Sequence, residues 1–260
     1  SARQRRSITL YKLYWICLDS EAKKLDKNPM NLLSGANSCL LCGASSKGTL
    51  ALCTPCLTEL PNIQSACVCC ALALGPDTTA QQLCGQCRVN PPPFEHCYPL
   101  GDYGFPLREM IAHLKFHGRF SIGRALGQLL AQRLAPVFRA APPDALLPVP
   151  LHAARLRQRG FNQSIELAQQ LSQYLDIPIA LHYCKRLRAS KPQRGLSATA
   201  RKQNVKGVFR LEPEAMKGTP RHIVIVDDVV TTMATAQAIA YLLKKEGVER
   251  VDVACLARVS

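Results

Sequence analysis

The chain has few of the features that would tie it to a membrane or an export route. No apolar run reaches the roughly 18 residues that a membrane span requires. The most apolar early stretch, Ile8–Leu18, follows Arg3, Arg5 and Arg6 but is interrupted by Lys12. Charged residues come after it rather than a small-residue cleavage site, so it does not read as a signal peptide. No segment repeats beyond a set of cysteine pairs. Acidic residues are scarce, 18 Asp+Glu against 33 Lys+Arg, which leaves a net charge of +15. With 47% apolar and 20% charged residues, the 260-residue chain has the composition of a soluble globular protein, either one large domain or a medium one with a small module. These properties read as cytoplasmic.

The positive charge is uneven. Residues 150–210 hold twelve Lys+Arg against two acids, and residues 1–29 hold seven against three. Residues 37–92 are balanced at two against two. Charge this concentrated attracts phosphates, of a small metabolite or of nucleic acid. Residues 1–36 show no clear period and are expected to be a disordered basic N-terminal extension, with Met30 shortly before the first cysteine pair.

Cysteine is the residue in excess. Of thirteen, eight fall in four C-x-x-C pairs: Cys39/Cys42, Cys53/Cys56, Cys67/Cys70 and Cys84/Cys87. A C-x-x-C turn aims two thiolates at one tetrahedral ion, so four pairs predict two closed Cys₄ zinc sites. Four thiolates leave no open coordination position, so the zincs are structural. Redox chemistry would need one pair at the start of a βαβ helix, which is not seen, and an iron–sulfur cluster is the weaker metal alternative. Pairing in sequence order is the simplest arrangement, and crossed pairing stays open. The segment, 37–92, ends in a stiff "NPPPF" linker, and metal is expected to supply its folding energy. Cys69, Cys17, Cys97, Cys184 and Cys255 read as bystanders or small hydrophobes.

From residue 93 onward the pattern is α/β. Pro106–Phe116, Ser121–Phe138, the segment after Asn162 and Thr235–Glu246 have helical spacing; Ala145–Pro150, Ile177–Tyr183, Gly207–Glu212, His222–Val226 and a final stretch from Arg250 read as strands. Alternation of the two predicts a doubly wound, mainly parallel sheet. One stretch carries the chemistry: "HIVIVDDVVTTMATA". Asp227 and Asp228 follow a buried apolar run, where open α/β sheets bind ligands. Thr231–Thr235 form the turn into the next helix, a seat for phosphate. Carboxylates beside a phosphate seat suit the two hydroxyls of a ribose, so the residues themselves point to a ribose 5-phosphate.

That stretch resembles the phosphoribosyl-diphosphate (PRPP) loop of type I phosphoribosyltransferases. Asp227, Asp228, Thr231, Thr232 and Thr235 match, and Met233 stands where the pattern has glycine. A second motif, "VPLHAARLRQRGFNQSIELA", is similar to the signature of the ComF/GntX family, as are Tyr103, Lys115 and Gly118, and Arg186, Gln193, Leu196, Arg201, Asn204 and Phe209. The family joins a cysteine-rich double zinc ribbon, here 37–92, to a type I phosphoribosyltransferase-like domain, here 93–260. The resemblance implies that the turn Pro150–Gln163 grips the diphosphate through Arg155, Arg157, Arg159, Gly160 and Asn162. It implies a basic lid at Lys185–Lys206, with Arg186, Arg194 and Arg201 closing over the diphosphate. Met233, Ala234 and the threonines would seat the 5-phosphate, and Mg²⁺ would accompany PRPP. No acceptor-binding residues stand out. Asp227 and Asp228 lie nearest the reacting centre, and His152 reads equally as a proton-transfer or a structural residue. Family membership implies DNA uptake (competence) or DNA utilisation, with single-stranded DNA or uptake proteins as partners. The alternatives are an active PRPP-dependent transferase with an unknown acceptor, and a zinc-ribbon nucleic-acid binder with a vestigial transferase domain. Met233 is expected to weaken but not abolish PRPP binding, by costing backbone freedom if φ is positive and by crowding the phosphate, so that Met233→Gly tightens it; methionine fits if its backbone is already helical and its thioether points outward.

Overall fold

The computed structural model describes residues 38–46, 50–75, 82–188, 207–215, 218 and 220–260. Two short helices, α1 (Thr54–Thr58) and α2 (Gly85–Val89), belong to the cysteine-rich segment. Then follow β1 (His96–Asp102), α3 (Leu107–His117), α4 (Phe120–Ala140), β2 (Ala145–Pro148), α5 (Ala153–Arg159) and α6 (Gln163–Leu175). A two-stranded antiparallel ribbon, β3 (Cys184–Arg186) and β4 (Phe209–Leu211), precedes β5 (His222–Val230), α7 (Ala234–Lys245) and β6 (Arg250–Arg258).

The main sheet is wholly parallel, in the order β1-β6-β5-β2. Alternate strand residues face opposite layers, as the two-residue period requires. Leu146, Val224, Val226, Ala254 and Leu256 pack with α3, α4 and α6. Leu147, Ile223, Ile225, Val253 and Cys255 pack with α7 and the β3/β4 ribbon. With both faces covered, the strands carry near-continuous apolar runs, as buried parallel strands must. Gly127 of α4 lets α6 close in: a Cβ there would stand 2.8 Å from Gln170 Cβ.

The sequence places a strand at Ile177–Tyr183, but the fold gives only a bridge from Ile179 to Leu146. Leu146 N–H donates to Pro178 O (2.9 Å) and Ala180 N–H to Leu146 O (2.8 Å) before the chain turns away. Pro178 can donate no ladder bond of its own, which shortens the edge.

The cysteine-rich segment is docked rather than held off by its prolines. It runs along β1, accepting from Asp102 N–H at Pro61 O (3.1 Å) and from Cys97 N–H at Cys69 O (2.8 Å). It thereby covers a sheet edge that would otherwise be open. Gly101 permits the approach, since a Cβ there would lie 2.1 Å from Pro61 O. Leu50, Leu52 and Leu60 join the α3/α4/α6 core, and Cys67, Cys70, Cys84 and Cys87 join the α7 core. Docking therefore supplies part of the folding energy that sequence reasoning assigned to metal alone.

Candidate functional site

The candidate site lies at the C-terminal ends of β2 and β5. The helices that follow these neighbouring strands leave on opposite faces, α6 with one core and α7 with the other. That divergence opens a crevice of the kind in which doubly wound sheets bind ligands.

β5 runs four residues beyond the expected Val226, so Asp227 and Asp228 sit within the strand rather than past its end. Their side chains point to opposite faces. Asp228, 7% exposed, accepts from Gln163 Nε2 (3.2 Å) and pairs with Lys115 Nζ (3.0 Å) through Oδ2. Its Oδ1 accepts from Val229 N–H (2.6 Å). Asp227 Oδ1 accepts from Ser164 Oγ (3.3 Å) and from Asp228 N–H (2.9 Å). Asp227 Oδ2 has no partner among the described residues, which leaves it available to a hydroxyl. Burial, and next the charge of Asp228, push the Asp227 carboxyl up to about 7; Lys115 opposes the shift.

The first turn of α6 reaches Asp227 and Asp228 because Asn162 caps it. Asn162 Oδ1 accepts from Ser164 N–H (3.0 Å), and Nδ2 donates to Val149 O (3.0 Å), which ties the helix start to the end of β2. Gln163, 3% exposed, spends its amide nitrogen on Asp228 and leaves Oε1 without a partner.

The span Pro150–Gln163 contains α5, where the sequence suggests a plain turn. Helical spacing puts Arg155 and Arg159 on one side and Arg157 on another. Gly160 ends α5 with φ +82°, a conformation that suits glycine. His152 caps α5, its Nδ1 accepting from Ala154 N–H (3.2 Å), which gives it a structural role. Arg186 is held over Phe209, with its guanidinium carbon 5.4 Å from the ring centre. Burial lowers both Arg159 and Arg186, and the charge of Arg155 lowers each further, while Asp228 and Asp227 respectively oppose the shift. Arg155 and Arg159 form no ion pair among the described residues. Arg159 thus feels the charge of Asp228, and Arg186 that of Asp227, with Arg155 acting on both, so cations and carboxylates share one region. Arg194 and Arg201 lie outside the described residues.

Across the crevice, Thr231, Thr232 and Met233 lead into α7, whose first N–H groups are unpaired within the helix. Met233 has φ +62°, the left-handed conformation in which a side chain is strained. Its thioether does not point outward: the residue is 5% exposed and packs in the α7 core. Arg258 fixes the loop from behind. Nearly buried, it donates from Nε to Cys70 O (3.0 Å) and from a terminal nitrogen to Val230 O (3.4 Å), Thr231 O and Val259 O. One guanidinium thus joins the second cysteine group to the threonine loop.

Lys115, Gln163, Ser164 and Arg258 were not foreseen as site residues. Lys115 stood in a motif without a role, and Gln163 and Ser164 follow the recognised Asn162. Nothing in the sequence signalled Arg258.

The cysteines form two groups, Cys39/Cys42/Cys53/Cys56 and Cys67/Cys70/Cys84/Cys87, each with its sulfurs within 4.8 Å of one another. Pairing follows sequence order. Cys42 and Cys53 sulfurs lie 3.6 Å apart, and those of Cys70 and Cys84 3.7 Å apart. Tetrahedral zinc with Zn–S of about 2.3 Å requires about 3.8 Å between sulfurs. Hydrogen bonds from Cys70 and Cys87 hold the Cys67 thiol far below its ordinary range, while contact with Cys67 pushes Cys70 and Cys87 upward. One sulfur ionises at its neighbours' expense, a conflict that a shared dication removes.

Fold and site together define a type I phosphoribosyltransferase-like domain with a cysteine-rich segment whose two cysteine groups could each hold a metal ion. Residues 162–260 match the phosphoribosyl transferase domain family. The chain is 38% identical over 231 residues to DNA utilization protein YhgH of Escherichia coli (strain K12), covering 87% of this chain and 99% of that one. It is 40% identical over 180 residues to competence protein F of Haemophilus influenzae, covering 68% of this chain and 79% of that one. A solved purine phosphoribosyltransferase from Pyrococcus horikoshii aligns with 52% of this chain and 73% of its own at 26% identity, with a TM-score of 0.33, too loose a superposition to carry weight. The chain belongs to the ComF/GntX family of competence and DNA-utilisation proteins. None of its described helices is long and apolar enough to cross a membrane.

Proposed function

We propose that the chain binds PRPP with Mg²⁺ and acts in DNA uptake or DNA utilisation, as a cytoplasmic protein that recognises PRPP without transferring its ribosyl group. The observation that carries this reading is the Asp227/Asp228 pair at the end of β5, held by Lys115, Gln163 and Ser164 and followed by the threonine turn into α7. Asp227 Oδ2 takes a ribose hydroxyl. Asp228, already engaged by Lys115 and Gln163, holds those side chains in place and completes the polar wall. The loop Thr231–Thr235, including Met233 and Ala234, seats the 5-phosphate on N–H groups and hydroxyls. We assign Arg155, Arg159 and Arg186, with Gly160, to the diphosphate; Arg201, assigned to it by the family resemblance, lies outside the described residues. Asn162 acts through the α6 cap.

Mg²⁺ neutralises diphosphate charge when bound; its natural ligands here are the ligand's own oxygens, water and Asp227. Each cysteine group holds one structural Zn²⁺. The domain division is a double ribbon over 37–92 and a transferase-like domain over 93–260, after a basic extension over 1–36. The basic stretch 150–210 offers a surface to single-stranded DNA.

Two assays test the reading. Incubation with PRPP, Mg²⁺ and a panel of bases or DNA fragments releases no diphosphate if the protein only binds; catalytic release establishes a transferase. Affinity for a single-stranded oligonucleotide falls steeply with salt if the basic face contacts phosphates, and a flat response removes that partner.

A further inference from the structure

The two cysteine groups differ in how far solvent reaches them. In the first, Cys42 is exposed and Cys53 half-buried, while Cys39 and Cys56 are buried; in the second, Cys67, Cys70, Cys84 and Cys87 are all buried. Among the described residues Cys42 is the one exposed cysteine. The sulfurs of Cys42 and Cys53 lie 3.6 Å apart, so the two reachable members of the first group are also neighbours. Cys69, the other partly open thiol, turns its sulfur to Phe94 O (3.7 Å).

The groups differ again in their anchorage. Around the second, three hydrogen bonds reach the main sheet: Cys97 N–H donates to Cys69 O (2.8 Å), His96 Nδ1 to Val68 O (2.8 Å) and Arg258 Nε to Cys70 O (3.0 Å). The first group sits against α3 and α4 through apolar contact, with Leu50, Leu52 and Leu60 beside buried Cys39 and Cys56. Opening the first group would leave the second group's bonds to β1 and β6 in place. Exposure decides which sulfur an oxidant meets first, since the thiolate is the nucleophile and a buried structural cysteine is inert.

We propose that Cys42 and Cys53 form a thiol modification site, at which a peroxide introduces a reversible disulfide that opens the first metal group and spares the second. The inference rests on the reading that each group holds one Zn²⁺. The Cys42 thiolate attacks one peroxide oxygen, the O–O bond breaks and hydroxide leaves, which gives a Cys42 sulfenic acid. The Cys53 thiolate then attacks the Cys42 sulfur, forms the S–S bond and expels a second hydroxide. Two electrons pass from the thiolates to the peroxide. Cys39 and Cys56 are the thiolates left to the metal, half of a closed Cys₄ set. A dithiol reductant reverses the bond and restores all four.

The test uses the full chain loaded with zinc, whose zinc content is counted first. Limiting hydrogen peroxide is then added beside a zinc chromophore, and the protein is alkylated, digested and mapped for disulfides. One zinc equivalent per chain comes off about tenfold or more faster than the second, because oxidation selects exposed thiolates. The early product carries a Cys42–Cys53 disulfide with Cys67, Cys70, Cys84 and Cys87 still reduced, and dithiothreitol with added zinc restores both equivalents. Release of both equivalents at one rate overturns the proposal, as does an early disulfide that joins any other cysteines, Cys17, Cys69 and the Cys97/Cys255 pair included. Both readouts use the unaltered sequence, so neither depends on a variant that folds. A chain without bound zinc would sink the zinc reading, and the disulfide map alone would then decide the Cys42–Cys53 assignment.

Discussion

Replacing Arg258 with methionine should damage two distant-looking properties at once. The guanidinium donates to carbonyls of Cys70, Val230, Thr231 and Val259 and is 5% exposed. A hydrogen bond from a charged donor contributes about 1.5–3 kcal/mol, and a stranded buried carbonyl costs about 1–3 kcal/mol. Methionine refills much of the volume and supplies no donor. Allowing for water reaching the outer carbonyls, the loss comes to about 3–5 kcal/mol. For a chain of this size that lowers the melting temperature by roughly 10 °C. Because the bonds join the Cys70 turn to the threonine loop, PRPP affinity and resistance to chelator should fall together, read by calorimetry and by chromophore-monitored zinc release. Arg258→Lys should recover part of both, since an ammonium reaches some of the four acceptors. A methionine variant that melts within a degree of wild type and binds PRPP as tightly would refute the coupling.

Two further outcomes follow from the same geometry. Burial and Asp228 raise the Asp227 carboxyl to about 7, so its contribution to stability is complete below its unfolded value near 4 and lost as pH rises through 7. Asp227→Asn should therefore gain stability relative to wild type between pH 5 and 8, by at most about 4 kcal/mol in urea melts; a pH-independent difference would contradict the assignment. Met233→Gly relieves about 1 kcal/mol of left-handed strain but removes a buried thioether, so the variant should lose about 1–3 kcal/mol of stability. Its PRPP affinity should stay within about threefold, because the thioether faces the core; a large gain in affinity would show that methionine crowds the phosphate.

What the sequence made legible was local. The C-x-x-C pairs predict their own clustering because each pair shares one turn. The helix that begins after Asn162 and the turn that opens at Thr231 were visible for the same reason. Long-range partnerships were not. Lys115 meets Asp228 only because α3 packs on the sheet face that includes Val224 and Val226, and Arg258 meets Cys70 only because the cysteine segment docks on β1. Helix α5 escaped notice because its residues make no apolar stripe; none is buried. The span Ile177–Tyr183 looked like a strand because Ile177 and Ile179 alternate, yet it is bounded by the short edge contact with Leu146. The extension of β5 through Asp227 and Asp228 was hidden because strand interiors rarely carry paired acids; here Lys115, Gln163 and Ser164 make them tolerable.

The central claim is that this crevice holds PRPP, and calorimetric titration of PRPP with excess Mg²⁺ tests it most directly. The account predicts one saturable site per chain, weakened at least tenfold by Asp227→Asn and by Arg155→Ala. Absence of heat and of any PRPP-induced thermal shift at millimolar ligand would contradict it, as would binding that both substitutions leave intact.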